Sequence, residues 1–198
     1  MREVVQKVYK FNELEKNVQE EVLERYRYTF VDSLDWGEYT KEDFIYTMFS
    51  DHGFEVDKDS VSFSPNGAEA GAGFTGEFKD AQAAINVAEN FDTKGCIKAS
   101  VLDEIRKYGE VRVVLYSWTR SNPWAWNTYI ELLIDGIPMK EDEKYAYFID
   151  ALEEWRKEEC ERLYENAQAD YEYYTCDNYI RTELEEGNYE FLADGTDF

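Results

Sequence analysis

Val111-Arg112-Val113-Val114-Leu115-Tyr116-Ser117-Trp118 and Trp126-Asn127-Thr128-Tyr129-Ile130-Glu131-Leu132-Leu133-Ile134 are the best strand candidates in the chain, dense in β-branched and aromatic residues. Their connector contains Arg120-Ser121-Asn122-Pro123, so the two runs predict a β-hairpin. Upstream, 54–56 and 61–63 alternate as strand segments around the polar Asp57-Lys58-Asp59-Ser60. Pro65-Asn66-Gly67 makes a turn, and 73–78 return as a strand. Asp80 opens a helix through Ala84, Val87 and Ala88, and Val101, Leu102 and Ile105 mark another before Gly109. Downstream, Asp135-Gly136 and Pro138 precede a long helix whose buried stripe is Tyr145, Phe148, Leu152, Trp155, Leu163 and Ala167.

The two ends complete the pattern. Residues 4–11 read as a first strand. Asn12 and Asn17 each precede a Glu by three positions, as capping boxes do, and Val18, Val22, Tyr26 and Phe30 predict a helix over 17–31. A helix over 40–50 follows, with Phe44, Ile45, Met48 and Phe49 as its apolar face, and Gly53 ends it with a residue free to take positive φ. A last helix over 177–184 stops near Gly187, and Tyr189-Glu190-Phe191 reads as a short strand. Helices bracket hairpin-joined strands without regular strand–helix–strand alternation. The expected class is α+β, an antiparallel or mixed sheet with helices packed on it, including one long helix in the C-terminal half. Without repeats or low-complexity linkers, residues 1–198 read as one domain.

The charge narrows the function. Against 21 Lys+Arg stand 44 Asp+Glu, a formal net charge of −23. Such a chain repels phosphate backbones and anionic lipid, which excludes direct nucleic-acid binding through a basic surface and argues against membrane attachment. With 43% hydrophobic and 17% aromatic residues it has the material for a core, so the charge does not signal disorder. No run approaches the ~20 apolar residues that span a bilayer, and residues 1–7 lack the apolar stretch of a signal peptide. Cys96, Cys160 and Cys176 are odd in number and far apart, which fits reduced thiols in a cytosol.

Familiar catalytic patterns are weak. Gly71-Ala72-Gly73-Phe74-Thr75-Gly76 spells G-x-G-x-x-G, but no apolar strand precedes it and Glu77-Phe78-Lys79 continues a strand where a dinucleotide site needs a helix. His52, the one histidine, sits in a helix C-terminal turn. Asp57-Lys58-Asp59 opens like a calcium loop, but the EF-hand glycine and terminal Glu are missing. No cofactor, metal site or catalytic residue is expected. A carboxylate-dependent hydrolase stays as an alternative, although nothing singles out a pair among so many acids.

Carboxylates can also stand in for phosphates. On the long helix Glu154, Glu158, Glu161 and Glu165 recur at steps of four, three and four, so they share one face. Four residues rise about 6 Å, near the path between consecutive phosphates, whose axial rise of about 3.4 Å understates it. A groove built for DNA can accept such a stripe. The competing reading is a solvated face in which Arg156, Lys157 and Arg162 neutralise the acids by intrahelical pairs. Against it, −23 exceeds what solubility asks of a small domain. Trp124, between Pro123 and Trp126 at the hairpin tip, is a second candidate anchor for a partner, whereas Trp118 and Trp126 read as core.

Tyr9-Lys10-Phe11-Asn12-Glu13-Leu14, with Gln19-Glu20-Glu21-Val22-Leu23-Glu24-Arg25-Tyr26-Arg27, resembles the opening of a family of small acidic phage-encoded proteins. These start with Y-x-F-[DN]-E-L and a Glu/Lys-rich helix ending in an aromatic–Arg pair. Tyr171-Glu172-Tyr173-Tyr174-Thr175, Ile180-Arg181-Thr182 and Asn188-Tyr189-Glu190-Phe191 through Asp194-Gly195 resemble the family's closing helix and Y-E-F strand. Phe74-Thr75-Gly76-Glu77-Phe78 resembles its F-T-G strand, and 111–126 has no counterpart. The resemblance implies a viral origin and transfers no catalytic residue; members are sometimes labelled antitoxins. Charge and resemblance together lead to the expectation of a non-enzymatic phage inhibitor in the host bacterial cytoplasm. Its expected partner is a host nucleic-acid-binding protein or nuclease, such as a CRISPR effector or restriction enzyme. The alternative is an antitoxin-like protein that neutralises a basic toxin.

Overall fold

The computed structural model describes residues 6–33, 36–65, 70–115, 127–139 and 142–198. In chain order the elements are β1 (Tyr9–Lys10), α1 (Lys16–Tyr26), α2 (Thr29–Ser33), α3 (Trp36–His52), β2 (Phe54–Val56), β3 (Ser62–Ser64), β4 (Gly71–Gly73) and β5 (Gly76–Phe78). There follow α4 (Ala81–Phe91), α5 (Ala99–Tyr108), β6 (Gly109–Leu115), β7 (Thr128–Ile134), β8 (Ile137–Pro138), α6 (Ala146–Tyr174), α7 (Asp177–Glu186) and β9 (Glu190–Phe191). The protein is α+β, its described strand pairs are all antiparallel, and α6 is the long helix of the C-terminal half at 29 residues. No helix among the described residues is long and apolar enough to cross a membrane.

The chain divides into two compact units, Gly37–Gln168 and Met1–Trp36 with Ala169–Phe198. The larger is built on a five-stranded sheet of order β2-β5-β6-β7-β8. Its centre is the expected hairpin: β6 pairs with β7 from Gly109↔Ile134 to Leu115↔Thr128, and the connector 116–126 lies outside the described residues. Val111 and Val113 on β6 and Thr128, Ile130, Leu132 and Ile134 on β7 point to the buried face. There Trp155 of α6 packs its ring 5.0–6.2 Å from those of Phe78, Phe54 and Phe74. The smaller unit has its own cluster, including Phe11, Val22, Tyr26, Phe30, Ile180, Leu184 and Phe191, closed by the β1–β9 pair.

Several expectations need correction. The strand over 4–11 is two residues long where described, because Phe11 turns into a 3₁₀ helix in which Glu13 accepts the Lys10 N–H at 2.8 Å. The helix over 17–31 is two helices. Its apolar spacing holds through Phe30, but the backbone breaks at 27–28, where Arg27 donates to the Thr175 carbonyl and pairs with Asp177. Asn17 caps nothing, since Glu15 occupies the N-cap position of α1. The strand over 73–78 is two strands with different neighbours, β4 on β3 and β5 between β2 and β6. No helix opens at Gly76, and the G-x-G-x-x-G letters belong to sheet. Phe49 is 52% exposed and does not belong to the buried face of α3.

Candidate partner-binding surface

The orientation of α6 is fixed by its buried stripe and by three charged residues that point the same way. Phe148, Ala151, Leu152, Trp155, Cys160, Leu163 and Ala167 are buried, and Arg156 and Glu159 are buried with them. Glu153 accepts the Ile130 backbone N–H at 2.7 Å, a lock between helix and sheet, and holds Arg156, whose other arm donates to Thr128 Oγ1 at 2.9 Å. One turn on, Glu159 Oε1 is 3.0 Å from His52 Nε2, and its other oxygen is 2.5 Å from Arg162 Nη2. Buried charges persist only when partnered in this way.

With that face fixed, Glu154, Glu158, Glu161 and Glu165 are all exposed, as their spacing requires. Asp150, also exposed, falls in the same row one turn earlier. At 100° per residue the five lie within roughly 80° of arc on the side of α6 opposite the buried Leu152 and Leu163. The neutralising pairs that sequence allowed form with other partners. Arg156 pairs with Glu153 and Arg162 with Glu159, both turned inward, and the ion pair the row itself makes among the described residues is Lys157 with Glu154 at 2.8 Å. Among the described residues, Glu158, Glu161 and Glu165 make no ion pair. The hydrogen bond from Lys157 holds the Glu154 carboxyl below its ordinary range.

The first turns of the row border a shallow cleft of about 200 Å³ beside α4, lined by Asp92, Lys94, Cys96, Tyr147, Asp150 and Glu154 among others. Asp92 accepts the backbone N–H groups of Ile97 and Cys96 at 2.8 and 3.0 Å, which lowers its carboxyl below the usual value. Carboxylates whose titration is shifted among the described residues, Glu38, Asp92, Glu104, Glu154 and Asp194, all shift downward. Each is held charged by hydrogen bonds to its ionised form. These five carboxyls are therefore held in their charged form.

Trp124, like Trp118 and Trp126, lies outside the described residues. The pairing of His52 with Glu159 had no sequence signal, because the partners are 107 positions apart. Asp150 did have one, four residues before Glu154 on the same helix. Among the described residues no group of three His, Cys, Asp or Glu is placed to hold a metal ion. Comparison of the chain with family models, with curated proteins and with solved structures found no match.

Proposed function

We propose that this protein is a non-enzymatic phage inhibitor that works in the host bacterial cytoplasm. It occupies the basic nucleic-acid groove of a host defence nuclease, a CRISPR effector or a restriction enzyme. One observation carries the reading: the exposed row on α6 keeps its charge, because two of the three nearby arginine and lysine side chains pair with inward-facing Glu153 and Glu159. A helix that needed acids only for solubility gains from (i, i+3) and (i, i+4) neutralisation, and most of this row forgoes it. Its successive carboxylates rise about 4.5–6 Å along the axis, a spacing a phosphate-binding groove can read. The net charge of −23 adds steering toward a basic partner. Phage origin is supported by the resemblance of the two ends of the chain to acidic phage proteins.

The test is a tagged pull-down from host lysate at low and high salt, with competition by duplex DNA. A nuclease recovered at low salt and displaced by DNA or by salt supports the proposal, and the Glu154→Gln, Glu158→Gln, Glu161→Gln, Glu165→Gln variant should lose it. A partner retained through high salt and by the Gln variant would replace groove mimicry with an antitoxin-like, more apolar interface.

A further inference from the structure

A second surface on the larger unit has a different composition. The outward side of α3 carries Tyr39, Tyr46 and Phe49, which are 77%, 73% and 52% exposed. At 100° per residue these rings fall within roughly 80° of arc, and Tyr39 and Tyr46 are about 10 Å apart along the axis. Glu42 and Asp43 occupy the turn between the two tyrosines and are exposed. Neither makes an ion pair among the described residues, and the lysine of this helix, Lys41, is held by Glu38 at 2.8 Å on the flank. Core packing does not explain the rings, since the buried side of α3 is Thr40, Phe44 and Met48. Helix propensity does not explain them either, because Tyr and Phe are poorer helix formers than the polar residues usual on a solvated face.

Charge selects the occupant. A second copy of the chain would bring another −23 to the same face, and an anionic lipid surface is repelled in the same way. A cationic protein is attracted, and among cations the guanidinium suits this arrangement best. It stacks flat on an aromatic ring while donating two parallel hydrogen bonds to a carboxylate, which an ammonium cannot do. We propose that the outer face of α3 is a docking surface for an arginine-bearing segment of a basic protein, with Tyr39 and Tyr46 as stacking platforms, Phe49 as an apolar edge, and Glu42 and Asp43 as the guanidinium acceptors. This inference does not depend on the row of acids on α6.

The probe is a synthetic helical peptide with arginines seven residues apart, titrated into the ¹⁵N-labelled full-length chain and followed by amide shifts. Shifts should concentrate on α3. Affinity should fall about fivefold in Tyr46→Ala and in the Glu42→Gln, Asp43→Asn variant, and by a similar factor when the peptide arginines become lysines. The four-Gln variant of α6 should titrate as the parent does, which separates this result from the fate of the groove-mimicry proposal. Absence of binding, equal binding of the lysine peptide, or shifts that follow the α6 acids would each overturn the assignment. So would self-association in sedimentation that Tyr46→Ala abolishes, since a second copy would then be the occupant.

Discussion

His52 Nε2 and Glu159 Oε1 lie 3.0 Å apart, tying the last residue of α3 to the middle of α6. The same carboxylate holds Arg162, and the ring of His52 stands edge-on to Trp155 at 5.7 Å between centroids. Glu158 and Glu159 are adjacent in sequence yet do opposite things, one facing solvent and the other closing a buried polar contact beneath the aromatic core.

Glu159→Ala should therefore destabilise the larger unit, and Glu158→Ala should not. Removing the inner carboxylate leaves His52 and Arg162 without their shared acceptor. A fully buried pair costs ~3–5 kcal/mol to break; Arg162 is 38% exposed and His52 23%, so solvent recovers part of the loss and about 2–3 kcal/mol is expected. Urea unfolding of the two variants side by side measures the difference, with Glu158→Ala expected within about 0.5 kcal/mol of the parent. Equal costs would mean that the inner carboxylate contributes no more than a solvated one.

Gly76 leaves no room for a side chain. An added Cβ would stand 2.2 Å from the Glu55 carbonyl oxygen and 2.7 Å from the Phe54 ring, at φ +156°. The contact is with the backbone of the neighbouring strand, so β2 and β5 must separate to relieve it. Gly76→Ala is expected to cost at least about 2–3 kcal/mol. Gly136→Ala, at φ +76° in open space, should cost only the ~1–2 kcal/mol of a left-handed residue. Thermal unfolding monitored by circular dichroism separates the two.

The central hairpin and the long helix were legible because their signals are local and repeated. β7 alternates between buried and less buried positions over all of 128–134, and the stripe of α6 recurs over five turns. What escaped was decided by distant partners or by single backbone angles. The Asp135-Gly136 pair, with φ of 50° and 76°, closes a tight hairpin that adds β8 to the sheet, although sequence read it only as a break before the helix. Residues 73–78 look like one strand, but Gly76 lets the chain leave β3 and join β2. On α6 the outward acids were legible from spacing alone. That Arg156 and Arg162 would turn to the inward acids instead was not, since that depended on Ile130, Thr128 and His52 from other elements. Phe49 was misread because an apolar residue next to a buried stripe looks like part of it, and only the packed neighbours define where the stripe ends.

Thiol reactivity gives an independent check on the core. Cys160 is 2% exposed, and burial pushes its thiol up to about 12, so at pH 8 almost none of it is thiolate. Cys96 and Cys176 are half-buried, and all three are free. Under native conditions a disulfide reagent should modify Cys96 and Cys176 within minutes and reach Cys160 only after unfolding. Mass spectrometry of the labelled peptides gives the site. Prompt native labelling of Cys160 would show that α6 opens from the sheet far more readily than its packing implies.

Acid should act on stability in two opposing phases. At pH 7 the −23 charge repels itself within the compact state, and protonation toward the isoelectric point near 4.3 relieves that repulsion, so stability should first rise as pH falls. Asp92, Glu104 and Glu154 act in the other sense. Their folded values are depressed by the Ile97 and Cys96 amides, by Lys144 and by Lys157 respectively. Such groups bind fewer protons folded than unfolded, so their contribution is complete above the ordinary carboxylate value near 4 and is lost as pH falls through the lower folded values. The melting temperature at ~10 mM ionic strength should therefore peak near pH 5 and fall steeply below about pH 4. In ~0.5 M salt the gain between pH 7 and 5 should flatten, because screening has already removed the repulsion, while the acid limb persists. Asp92→Asn should soften that limb. A melting temperature that falls steadily from pH 7 at low salt would mean that the acids are spread too widely for their repulsion to matter, and would weaken the case that their excess serves a partner.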